Sequence, residues 1–119
     1  QMAPGDQWIR GKSLDTFCPL GPYLATKDEI ADPHNLSVKC MLNGETMQDA
    51  NTATMIFDIP TLIEIITEVM TLHPGDVIVT GTPEGVGFAR TPPVWMKPGD
   101  VCEIDLEGVG VLRNTIVAA

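Results

Sequence analysis

The chain has 119 residues, 44% hydrophobic and 19% charged, the size and composition of one globular domain and too short for two of ordinary size. Sixteen acidic against seven basic residues leave a formal charge of −9, and the basic residues are scattered, so no cationic stripe exists to neutralise a nucleic-acid backbone. Three widely spaced cysteines with no Cys-x-x-Cys pair argue against a disulfide framework or structural zinc site, and no run of ~18 apolar residues marks a membrane span.

In chain order, residues 1–11 are a polar approach in which Trp8 and Ile9 are placed to anchor on a core. Gly11-Lys12-Ser13-Leu14-Asp15-Thr16-Phe17-Cys18-Pro19-Leu20-Gly21-Pro22 is too rich in Gly and Pro for a helix and too irregular for a strand. Tyr23–Thr26 reads as a short extended piece, followed by an acidic loop through Asp32-Pro33-His34-Asn35. Residues 36–42 alternate apolar and polar positions as a half-buried strand does. Asn43-Gly44 then suits a type I′ turn, with residues 45–49 returning antiparallel. After a polar bend at 49–54, Pro60 opens an amphipathic helix of about three turns. Its apolar face is Leu62, Ile65, Ile66, Val69 and Met70. Pro74-Gly75 stops it. Asp76–Thr80 is β-branched and reads as a buried strand that runs into the glycine-rich stretch Gly81–Gly87. Lys97-Pro98-Gly99-Asp100 repeats the Pro-Gly-Asp turn at 74–76 and launches a last hairpin, 101–106 and 109–117, across Glu107-Gly108. Six strands and one convincing helix predict a mainly β, α+β fold with antiparallel pairing.

Few residues advertise chemistry on their own. A lysine just after a glycine, with Asp15-Thr16 three and four residues on, suits an anionic ligand, but taken alone Lys12 in a loop is more often a solvated surface charge. The glycine stretch lacks the Gly-Lys-Ser/Thr of a phosphate loop and does not open a helix, so it is a strand-end loop approaching either a ligand or another backbone segment. His34 and His73 are poor catalytic candidates, the second because it sits at the expected helix C-terminus. Glu103, Asp105 and Glu107 alternate along one strand face, which is more often a solvated face than a metal site. Cys18 reads as packing.

Taken together, the motifs become specific. Residues 11–22 resemble the Gly-Lys-Ser-Phe-Asp-Thr-Phe-x-Pro-x-Gly-Pro signature of the fumarylacetoacetate hydrolase family. Asn43-Gly44-Glu45, Asn51-Thr52-x-x-Met55-Ile56-Phe57 and Pro74-Gly75-Asp76-Val77-Ile78-x-Thr80-Gly81-Thr82-Pro83-x-Gly85-Val86-Gly87 follow in that family's order. Lys97-Pro98-Gly99-Asp100 and Gly110-Val111-Leu112-x-Asn114 continue it, so the resemblance covers nearly the whole chain.

The resemblance implies a mixed β-sheet roll, here its C-terminal part, with residues 1–119 forming a partial catalytic domain. It implies a Mg²⁺- or Mn²⁺-dependent hydrolase, isomerase or decarboxylase of small oxo-diacids, usually a homodimer. It makes Lys12 the site lysine and puts Thr16 on the metal-proximal loop. Gly81 and Thr82 then contact the substrate's carboxylate or oxo group, and Gln1 matches a substrate-side glutamine. The family's Glu-x-Glu and Asp ligands, and the His-Glu pair of many members, belong upstream of Gln1. The metal site therefore needs the rest of the domain. A different class of reading is a non-catalytic β-rich binding or oligomerisation module that kept the scaffold and lost those ligands. The expected compartment is the cytoplasm, or an organellar matrix if a targeting signal precedes Gln1.

Overall fold

The computed structural model describes residues 8–118. Four strands, β1 (Ser37–Leu42), β2 (Glu45–Asn51), β3 (Val101–Leu106) and β4 (Gly110–Thr115), form one antiparallel sheet in the order β2-β1-β3-β4. Two helices, α1 (Trp8–Lys12) and α2 (Ile59–Thr67), and long irregular segments surround it.

The β1–β2 hairpin forms as its sequence predicts. Asn43 and Gly44 take φ of 53° and 82°, the left-handed pair a two-residue turn of this hand requires, and Leu42 faces Glu45. The Asn43 amide Nδ2 donates to Asp100 Oδ1 (2.9 Å), while its Oδ1 accepts from the Val101 N–H (2.9 Å). The hairpin tip is thereby stitched to the start of β3. Both Pro-Gly-Asp sequences build the same turn. Asp76 and Asp100 each donate their N–H to the carbonyl three residues back, at 3.0 Å. Each also accepts from that residue's N–H with its carboxylate, at 2.7 Å.

Register divides the sheet into two faces. Val38, Cys40 and Leu42 lie beside Leu106, Ile104 and Cys102, with Leu112 beyond on β4, on an apolar face. Lys39, Asp49, Glu103, Asp105 and Arg113 take the other face, where Lys39–Asp49 (3.3 Å) and Arg113–Glu103 (3.6 Å) form ion pairs. The alternation of acids on β3 thus belongs to a charged face. Glu107 Oε2 instead accepts from the Ser37 N–H (2.8 Å) and ties the β3–β4 turn to β1.

Helix α2 starts on Asp58, whose carboxylate accepts from the Thr61 N–H (2.8 Å), with Pro60 in the first turn. His34 Nε2 accepts from the Ile59 N–H (3.1 Å), which fixes the helix start to the acidic loop. The helix is shorter than the three turns its periodicity suggests. Thr67 Oγ1 donates back to Ile63 O (2.8 Å) and Glu64 O (3.0 Å), the local competition by which threonine loosens a helix end. His73 consequently lies beyond the helix, not at its C-terminus.

Other expectations change. Four strands form among the described residues where six were predicted. Asp76–Thr80 is β-branched enough to favour extension, but a strand needs a ladder partner, and none of the described residues pairs with it. Val77 and Val79 are consequently 62% and 74% exposed. Tyr23–Thr26 is likewise unpaired: its Tyr23 hydroxyl donates to Val109 O, and Thr26 is drawn into a turn by Glu29 (2.7 Å) and Asp28 (2.6 Å). Gly11 and Lys12, expected in an irregular segment, close α1, because glycine is tolerated at a helix end where it is costly in the interior. Ile9 is exposed and anchors nothing, Trp8's side chain lies outside the described ones, and Cys18 is exposed rather than packed.

Candidate functional site

The site expected from sequence stands on two segments. Lys12 ends α1 with its side chain at the surface. Four residues on, Thr16 has φ of 69° in a turn closed by the Phe17 N–H on Leu14 O (3.1 Å). A β-branched residue in left-handed backbone is an outlier that costs about 1–3 kcal/mol. Gln1 lies outside the described residues.

Gly81 and Thr82 stand on the second segment, and what seats them is a β-bulge. Cys40 faces Gln48 and Met41 faces Thr46, so Met47 is an extra residue on β2. A bulge removes one residue from the ladder and turns its polar groups outward. Here Met47 O accepts from Arg90 Nη2 (2.5 Å), while Arg90 Nε donates to Gly85 O (3.2 Å). Gly85, with φ of 97°, comes so close that a Cβ would collide with Met47 O. Next to the bulge, Gln48 Nε2 shares its two protons among Thr82 Oγ1 (2.9 Å), Pro83 O (2.8 Å) and Glu84 O (3.2 Å). Gly87 passes equally close to Val94 O, and Val94 donates its N–H back to Gly87 O (3.0 Å).

The two readings of the glycine stretch therefore divide within it. Gly85 and Gly87 serve close backbone packing. Gly81, at φ of 106°, has no neighbour within 4 Å of where a Cβ would stand, so the open end of the loop is the end that carries Thr82. Gln48 and Arg90 were not singled out from sequence. The signal for Gln48 was a polar residue on the strand face that carries Val38 and Cys40, where an unpaired amide would be costly.

Cys40 and Cys102 lie near one another on the apolar face, and partial burial followed by the neighbouring Cys102 pushes the Cys40 thiol up to about 11. That is an inert thiol rather than a nucleophile. Among the described residues no group of three His, Cys, Asp or Glu side chains comes together as a metal site, so these residues alone do not fit a divalent cation. Two shallow clefts stand out among the described residues. One, of about 300 Å³, is lined by Leu42, Glu45, Met47, Trp95 and Asp100 among others. The other, about 450 Å³, lies between Ile66 at the end of α2, residues 70–72 beyond it and residues 76–79. Neither contains Lys12, Thr16, Gly81 or Thr82.

Comparison with known proteins decides the family. The profile described as fumarylacetoacetate (FAA) hydrolase C-terminal matches residues 1–117. The chain belongs to the fumarylacetoacetate hydrolase family. It is 52% identical over 117 residues to mitochondrial oxaloacetate tautomerase from Rattus norvegicus, covering 98% of this chain and 37% of that protein. Among solved structures, the fumarylacetoacetate hydrolase of psychrophilic Exiguobacterium antarcticum superposes with a TM-score of 0.88 at 45% identity, over 92% of this chain and 39% of that one. Maleylpyruvate hydrolase from Sphingobium sp. SYK-6, in complex with manganese(II) ion and pyruvate, superposes with a TM-score of 0.78 at 45% identity, over 87% and 36%. The chain thus spans little more than a third of the length of these relatives, and its antiparallel sheet with one main helix is part of that family's fold.

Proposed function

We propose that this segment supplies one side of the active site of a family enzyme that processes a small oxo-acid, and that further polypeptide completes the domain. The observation that carries the reading is the seated Gly81–Thr82 loop, which keeps an exposed hydroxyl at its open end, in a chain half identical to an oxaloacetate tautomerase. The tautomerase and the maleylpyruvate hydrolase share substrates with an oxo group beside a carboxylate, so the chemistry common to them places negative charge on an oxygen as the reaction proceeds.

In this reading the Lys12 ammonium is a point charge beside that oxygen or its neighbouring carboxylate. Thr82 donates a hydrogen bond that fixes orientation, with Gly81 allowing the ligand's close approach. The strained Thr16 holds the turn that follows Lys12. The manganese of the Sphingobium enzyme supports a divalent cation, Mg²⁺ or Mn²⁺, in the complete protein, with acidic ligands supplied from outside the described residues. A homodimer belongs to the same proposal. Among the described residues no helix is long and apolar enough to cross a membrane, and the mitochondrial relatives favour an organellar matrix over the cytoplasm.

Replacing Lys12→Ala in the complete protein is expected to lower oxo-acid turnover at least ~10²-fold, the loss that removal of a charge stabiliser brings. Steady-state kinetics on oxaloacetate and acylpyruvates measure it. Kinetics indistinguishable from wild type would remove Lys12 from the site.

A further inference from the structure

We propose that Gln48 is a positioning residue that fixes the Thr82 hydroxyl as a hydrogen-bond donor toward the substrate; this rests on the reading of Thr82 as a substrate contact. Pro83 O and Glu84 O are carbonyls and can only accept, so the end of the Gln48 amide facing them, at 2.8 and 3.2 Å, must be the NH₂. Its neighbours leave no freedom for the reversed orientation that an amide otherwise allows. An amide nitrogen has no lone pair to offer. The Thr82 oxygen, 2.9 Å from it, must therefore accept. The hydroxyl proton is then turned away from Gln48.

Among the described residues no protein acceptor takes that proton, and Thr82 is exposed. The hydroxyl is left as a donor on the side away from Gln48. Such a donor suits an oxygen that only accepts, as in a carboxylate, an oxo group or the enolate derived from it. It disfavours a ligand that presents an ammonium at the same place. Gln48 can hold this geometry because it stands next to the Met47 bulge on a hydrogen-bonded strand, with Arg90 clamping the far side of the same loop through Met47 O and Gly85 O. A side chain on a rigid strand thus directs a side chain on a loop.

A double-mutant cycle on the complete protein tests this, with the affinity for oxalate in the presence of Mg²⁺ read by titration calorimetry and folding checked by thermal denaturation. Thr82→Val and Gln48→Met are each expected to weaken oxalate binding about tenfold or more, as loss of a hydrogen bond to a charged group does. The double variant is expected to bind within about twofold of Thr82→Val alone, because the effect of Gln48 on oxalate runs through Thr82, its bonds to Pro83 O and Glu84 O serving to hold that residue's loop. A further loss on the Thr82→Val background comparable to the single effect, or no loss in Gln48→Met by itself, overturns the role of Gln48. Unchanged binding in Thr82→Val overturns the reading of Thr82, and this proposal with it. If Gln48→Met does not fold, Gln48→Glu decides. A carboxylate there draws the Thr82 proton inward, so binding should fall at least as far as in Thr82→Val, and wild-type affinity in a folded Gln48→Glu protein contradicts the proposal.

Discussion

Lys12, Thr82 and Gln48 show three degrees to which a residue's role is written in its sequence. Lys12 is uninformative alone and gains meaning only from the eleven-residue pattern around it. Thr82 becomes specific once the order of the motifs is seen. Gln48 carried a faint signal, a polar side chain on an apolar strand face, because its partners lie 34 to 36 residues away and depend on a bulge that no local pattern announces. Gly85 makes the same point in a form open to measurement. Gly75 and Gly85 have nearly equal φ, 100° and 97°, but only Gly85 faces a carbonyl. Gly75→Ala should therefore cost only the conformational strain, about 1–3 kcal/mol. Gly85→Ala should cost clearly more, and should also weaken oxalate binding by shifting the Thr82 loop. Chemical denaturation of the two variants measures the difference, and equal losses would deny the loop its close seat on Met47.

At the scale of elements, those held by local chemistry were legible and those needing a distant partner were not. The Asn43-Gly44 hairpin and the two Pro-Gly-Asp turns formed as read, because their residues carry the required backbone conformations and caps. Asp76–Thr80 did not become a strand, since β-branched composition specifies extension but not a neighbour. Apolar periodicity locates helix α2 but overruns its end, because the Thr67 hydroxyl competes for carbonyls that periodicity does not register. The caps also make stability depend on pH. Hydrogen bonds from Thr61 hold the Asp58 carboxyl below its ordinary 3.8, and those from Asn43 and then Lys97 do the same for Asp100. A carboxyl depressed in the folded state stabilises the fold at neutral pH, and loses that contribution as pH falls below 3.8 through the folded value. The melting temperature of the complete protein should thus fall as the pH drops below 3.8, and fall less steeply in Asp58→Asn, which keeps a capping oxygen without the charge. Parallel slopes for wild type and variant would show that Asp58 contributes nothing to the acid response.

The whole molecule is more open than a closed domain of its mass. Its accessible surface is 9438 Å² for 12.8 kDa, where the scaling for compact monomers gives about 6,300 Å². The radius of gyration is 15.6 Å against about 13.5 Å expected for this length. None of the described residues is fully buried, and Met70, Val77 and Val79 leave an apolar strip along the cleft that follows α2. Composition alone predicts a closed globule, because hydrophobic content says how much surface can be buried and not what buries it. Such an open surface agrees with the proposal that more polypeptide completes both the domain and the site. The measurement that bears most directly on the oxo-acid site is a calorimetric titration of the complete protein with oxalate, with and without Mg²⁺, in wild type and Lys12→Ala. The account predicts Mg²⁺-dependent binding that weakens at least about tenfold in the variant. Absence of metal-dependent oxalate binding in wild type, or equal affinity in both proteins, would contradict it.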